Sequence, residues 1–115
     1  MPNIHRGEIE AEIGGKPRRL VLRLGALAEL EAAFGVDDLV ALAERFGRGR
    51  LKSRDLIRII AAGLRGAGDP VSDEDVAGMT IADGATGYAR IACALLAATF
   101  GGEAQPANPP QPQAT

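Results

Sequence analysis

Glu8-Ile9-Glu10-Ala11-Glu12-Ile13-Gly14-Gly15-Lys16-Pro17-Arg18-Arg19-Leu20-Val21-Leu22-Arg23-Leu24 is the stretch that decides the fold. Its first six residues alternate strictly between acidic and apolar. A period of two puts Ile9, Ala11 and Ile13 on one face of a strand, with the glutamates on the other. Gly14-Gly15-Lys16-Pro17 reads as a turn, because two glycines reach positive φ without steric cost and Pro17 cannot donate to a ladder. Arg18 to Leu24 then resumes the alternation, with Leu20, Leu22 and Leu24 on one face and Arg19, Val21 and Arg23 on the other. Acidic residues on one strand facing arginines on the next can form cross-strand pairs. A lone hairpin is marginal in water, so its apolar face requires a helical partner.

Beyond Gly25 the period changes to that of a helix. Leu27, Leu30 and Phe34 make one stripe, and Gly35 stands where a left-handed C-cap belongs. Asp37 reads as the N-cap of a second helix, whose Leu39, Leu42 and Phe46 repeat the spacing up to Gly47. After a Gly-Arg-Gly-Arg loop, Ser53 reads as the cap of a third helix with Leu56, Ile57, Ile60 and Leu64 on its apolar side, broken by Gly66-Ala67-Gly68-Asp69-Pro70. Ser72-Asp73-Glu74-Asp75 resembles a capping box and opens a short helix that ends near Met79. The last helix runs from Asp83 or Gly84 to Phe100, with Tyr88, Ile91, Ala92, Leu95 and Thr99 on one side. The fold expected is α+β and mostly α: an N-terminal β-hairpin packed on four to five short helices. The domain spans residues 4–100. Residues 101–115 carry four of the seven prolines and too little apolar surface to offset the entropy of ordering, so they read as a disordered Pro-rich C-terminal tail.

Composition narrows the function. The chain has 115 residues, enough for one domain. Of its apolar residues 21 are Ala, against 12 Leu, 8 Ile, 5 Val and 3 Phe, so the core is aliphatic and closely packed. One Cys excludes an intramolecular disulfide and a cysteine cluster, and one His excludes a multi-histidine zinc site. A net charge of −2 argues against affinity won by neutralising many phosphates. No apolar run approaches the roughly 20 residues of a membrane span, and the N-terminus shows no signal-peptide core. A small soluble domain that does not catalyse is the expectation, with no cofactor and no metal.

His5 lies at the approach to the first strand, with no nucleophile in a context that would use it. Cys93, among Ala and Leu in mid-helix, reads as a small buried hydrophobe. Gly63-Leu64-Arg65-Gly66-Ala67-Gly68 has the glycines of a phosphate loop, but they end a helix where such a loop would begin one. Asp73, Glu74 and Asp75 lack the spacing of a calcium loop and suit a helix start. The basic run is the strongest candidate for a partner site: Arg45, Arg48, Arg50, Lys52 and Arg54 fall within ten residues, and Arg58 follows. Three readings stay open for it: a solvated face paired with Glu44 and Asp55, a protein-partner surface, and a DNA-binding helix–loop–helix. The net acidic chain and a linker longer than a helix-turn-helix turn disfavour nucleic acid.

A resemblance adds to this. His5-Arg6-Gly7-Glu8, Arg23-Leu24-Gly25-Ala26-Leu27-Ala28-Glu29-Leu30-Glu31 with Phe34-Gly35, Leu42-Ala43-Glu44-Arg45-Phe46, Gly49-Arg50-Leu51, Arg54-Asp55-Leu56-Ile57, Ala62-Gly63-Leu64-Arg65-Gly66 and Val71-Ser72-Asp73-Glu74-Asp75-Val76 together resemble a small phage-tail family of gene transfer agents. Members are named either tail tube protein or tail assembly chaperone. Tube subunits resemble β-sandwiches that share a barrel, which one hairpin cannot supply. The resemblance therefore implies a non-enzymatic tail assembly chaperone that binds the tape-measure protein and recruits tail tube subunits. The alternatives are a structural component of the finished tail and, third, a small DNA-binding regulator. It further implies a cytoplasmic assembly stage, particle association if the chain is retained, and room for a homo-oligomer. Arg45, Arg48, Arg50, Arg54 and Arg58 are the expected partner-binding residues, with a groove between helices or the hairpin edge taking helical segments.

Overall fold

Gly14 and Gly15 sit at φ +67° and +84°, the backbone of a two-residue hairpin turn that matches the right-handed strand twist. The turn is therefore shorter than the sequence suggests. In the computed structural model, which describes residues 7–47 and 51–101, strand β1 is Glu8–Ile13 and strand β2 is Lys16–Val21, paired antiparallel with Ile13 opposite Lys16 and Ile9 opposite Leu20. The pair that closes such a turn exchanges both ladder bonds. The next pair, Glu12–Pro17, is then a non-bonded one, and Pro17 enters the strand without removing a ladder bond. Glu10 lies directly opposite Arg19, as the charge pattern anticipates.

The alternation misleads at the far end of β2. Leu24 is no strand residue: it opens helix α1 (Leu24–Phe34) and is 74 % exposed, while Val21, expected on the outer face, is buried. Gly35 at φ +70° ends α1 as expected. Helix α2 (Leu39–Gly47) is capped by Asp38 and not by Asp37, since the Ala41 N–H donates to Asp38 Oδ1 at 2.8 Å. Helix α3 (Ser53–Gly66) begins at Ser53, so Ser53 is its first helical residue and not its cap; the Asp55 carboxylate accepts from the Lys52 N–H at 3.0 Å. Helix α4 (Asp73–Ala77) shows the anticipated capping box, Ser72 Oγ accepting from Asp75 N–H at 3.0 Å and the Asp75 carboxylate accepting from Ser72 N–H at 2.9 Å. Helix α5 (Gly84–Leu96) continues into a π-helical turn, Ala97–Gly101.

The hairpin lies on α3 and α5, and the core forms between them. Leu20, Ile59, Ile60, Leu64 and Leu95 are wholly buried, joined by Ile13, Leu42 and Val76. The glycines of α3 explain how closely β2 approaches. A Cβ on Gly66 would stand 2.1 Å from the Val21 carbonyl oxygen, and one on Gly63 would stand 2.6 Å from Leu95 Cδ2 and 3.2 Å from Leu20 Cβ. These glycines are contact surfaces for the hairpin, which accounts for them without a phosphate. Polar clamps fix the same interface: Arg18 pairs with Asp69 at 2.6 Å, and the Arg23 guanidinium donates to the Gly66 carbonyl at the C-terminus of α3, where a cation is favoured. Gly14 N–H donates to Thr80 O at 2.8 Å, tying the hairpin tip to the α4–α5 connection. Residues 102–115, and with them the expected disordered tail, lie outside the described residues.

Candidate functional site

Of the basic run, Arg45 lies on α2 and Arg54 and Arg58 on α3. Arg48 and Arg50 lie outside the described residues, as does His5. Arg45 is half-buried: its guanidinium carbon is 5.3 Å from the centroid of the Phe34 ring, and Nη2 is 3.8 Å from Asp55 Oδ2. Asp55 is itself buried at 9 % exposure and caps α3. Arg45 and Asp55 thus join α2 to α3, the pairing that the solvated-face reading anticipates. Arg54 is exposed and Arg58 half-exposed on α3; among the described residues neither has an ion-pair partner. The five arginines expected to act together are therefore not shown as one surface.

At least seven of the fifteen acidic side chains have structural work, as caps or in ion pairs. Asp38, Asp55 and Asp75 hold helix N-termini, and Asp69 pairs with Arg18. Arg65 spans Glu29 and Asp73 at 3.3 and 3.2 Å, and Arg90 meets Asp83 at 3.2 Å. Among the described residues no three of His, Cys, Asp and Glu converge as metal ligands, and no helix is long and apolar enough to cross a membrane. Tyr88 donates its hydroxyl hydrogen to the Val76 or Met79 carbonyl, at 2.8 and 3.0 Å, and burial raises its pKa above the ordinary phenol value. Cys93 is exposed, which corrects the expectation of a buried thiol. On an Ala-rich helix the contrast between faces is weak, and the buried side is set by Ala92, Leu95 and Leu96.

The feature that sequence reasoning located only in outline is an apolar groove. It runs between α1, α2 and the π-helical turn, has a volume of about 570 Å³, and is lined by Leu27, Leu39, Val40, Ala43, Glu44, Thr99 and Phe100. Phe100 of that lining packs with the other two phenylalanines of the chain, Phe34 edge-on to Phe46 at 5.2 Å between centroids and Phe46 to Phe100 at 6.5 Å. Val40 is 69 % exposed and Leu39 39 % exposed. Val40 falls outside the Leu39–Leu42–Phe46 stripe, and that out-of-phase aliphatic is the signal by which the sequence could have marked the groove. A smaller cleft of about 250 Å³ between α3, α4 and α5 is lined by Leu56, Ile57 and Tyr88, among others.

Comparison with known proteins gives one family match: the family described as phage tail tube protein, GTA-gp10, matches residues 6–102. Neither the curated proteins nor the solved structures gave a match.

Proposed function

This chain belongs to the family described as phage tail tube protein, GTA-gp10, and on that premise we propose that it is a structural component of a gene transfer agent tail, acting by protein–protein contact and not by catalysis. The match over residues 6–102, which includes every described residue, carries the reading. The exposed Leu39 and Val40 beside the groove support it, because apolar surface left open on a small domain marks an interaction site. Exposed Arg54 and half-exposed Arg58 would guide an acidic neighbour during assembly.

A second reading, the assembly chaperone, draws on a different observation. Among the described residues the β-structure is one two-stranded sheet. A tube wall built of shared strands needs more from each subunit, whereas an adaptor that holds the tape-measure protein and passes on tube subunits in the cytoplasm needs only helical clefts.

Quantitative mass spectrometry of purified particles separates the two. A structural component appears at fixed stoichiometry with the other tail proteins. Presence at trace level, together with co-purification with the tape-measure protein from lysates of assembling cells, overturns the structural reading and supports the chaperone.

A further inference from the structure

Among the described residues, the lining of the groove between α1, α2 and the π-helical turn carries charge of one sign. Glu44 is the charged side chain of its lining, and among the described residues it makes no ion pair. Glu44 follows Val40 by four residues, so the two stand one above the other on α2. Glu31 follows Leu27 by four residues and lies one turn along the same side of α1. Asp37 and Asp38, both exposed, directly precede the lining residue Leu39 in the chain, Asp38 also accepting from the Ala41 N–H. The adjoining cation, Arg45, is turned toward Phe34 and Asp55.

The apolar surface gathers in the same place. Among the described residues the exposed large hydrophobics are Leu24, Leu39 and Val40. Two of these line the groove, and Leu24 stands one turn before the lining residue Leu27 on the flank of α1 away from Leu30. Phe100 of the lining packs on Phe46, which meets Phe34 edge-on, so that wall of the groove is backed by packed rings.

We propose that this groove receives an amphipathic helix of a partner protein whose apolar stripe is flanked by Lys or Arg. The proposal rests on the reading that the chain works by protein–protein contact, and it names the chemistry of that partner. A helix laid in a groove presents anchors at i, i+3, i+4 and i+7, which fill the space between Leu27, Val40, Ala43 and Phe100. Flanking cations then face Glu44, Glu31 and the Asp37–Asp38 pair. The same rim repels phosphate backbones and acidic helices, so it selects as well as attracts.

The test uses the full chain and two fluorescent synthetic helices with identical leucine stripes, one flanked by lysines and the other by glutamates. Fluorescence anisotropy should show the lysine helix binding at least about tenfold more tightly, a difference of roughly 1.4 kcal/mol. Val40→Lys and Glu44→Lys should each weaken the lysine helix about tenfold, while Glu74→Lys on the distant α4 leaves it within about twofold. Glu44→Lys should also improve binding of the glutamate helix. Val40 and Glu44 are exposed, so circular dichroism should show both variants folded. Equal affinity for the two helices, or no effect of Val40→Lys, overturns the proposal. Particle mass spectrometry judges the tail reading separately: a chain present in particles that ignores the lysine helix sinks the groove assignment alone.

Discussion

Adding one methyl group to Gly66 should separate the hairpin from α3, and the outcome can be estimated from geometry. An ideal Cβ at Gly66 stands 2.1 Å from the Val21 carbonyl oxygen and 3.2 Å from the Val21 carbonyl carbon. Both atoms are backbone, so no side-chain rotation relieves the clash; β2 must move by more than 1 Å or α3 must unwind at its end. Overpacking of this kind costs about 1–3 kcal/mol, occasionally more, and a rigid obstacle puts Gly66→Ala at the upper end. Better helix propensity returns at most about 1 kcal/mol and less at the final residue of a helix. The net expectation is a loss of about 2 kcal/mol, or some 8–16 °C in Tm at the 4–8 °C per kcal/mol of a domain this size. Two sister variants isolate the cause. Gly63→Ala meets the flexible end of Leu95 at 2.6 Å, and its mid-helix propensity gain offsets most of the cost, leaving a loss of less than about 1 kcal/mol. Gly25→Ala, in the first turn of α1 with nothing within 4 Å, should be neutral or stabilising by a few tenths of a kcal/mol. Urea and thermal unfolding followed by far-UV circular dichroism rank the three. Gly66→Ala as stable as the parent, or no worse than Gly63→Ala, would refute the claim that α3 and β2 meet through these glycines.

Tyr88 is the one tyrosine of a chain without tryptophan, so its phenolate absorbance can be titrated without interference. Burial raises its folded pKa above the ordinary value of about 10. The folded state therefore holds the proton longer than the unfolded state, and this contribution to stability is complete below about pH 10 and lost as pH rises toward the folded pKa. Tyr88→Phe should remove that alkaline loss and cost about 1 kcal/mol at neutral pH from the missing hydrogen bond, both read by urea unfolding at several pH values; an unchanged alkaline profile counts against the assignment. Asp55→Ala removes the acceptor of the Lys52 N–H and leaves half-buried Arg45 without its carboxylate, for a loss of about 1–2 kcal/mol. Asp55→Asn, which keeps an acceptor, should lose clearly less, and equal losses would show that the cap contributes little.

The hairpin and the helices were legible because each rests on local rules that the fold obeys: alternation in β1, the positive-φ glycines of the turn, Gly35 as C-cap, and the Ser72–Asp75 capping box. Errors arose where a local signal outlasted its element. The Leu20–Leu22–Leu24 alternation runs on into α1, and nothing in a period of two reports that the chain has turned. Cys93 reads as buried but is exposed, because Ala neighbours on either side of a helix look alike to periodicity, and only packing against α3 selects a face. The candidate site is hardest to read for a related reason. The basic run is contiguous in sequence, yet Arg45 folds onto Phe34 and Asp55 and serves the α2–α3 junction. The groove is discontinuous, drawing Leu27, Val40, Glu44 and Phe100 from three separate elements. A contiguous charge run tests local composition, whereas a groove exists only once helices have packed. The residue that connects the two scales is Val40: an aliphatic side chain out of phase with its own helix stripe stays 69 % exposed and lines the groove, where the proposed helix would cover it.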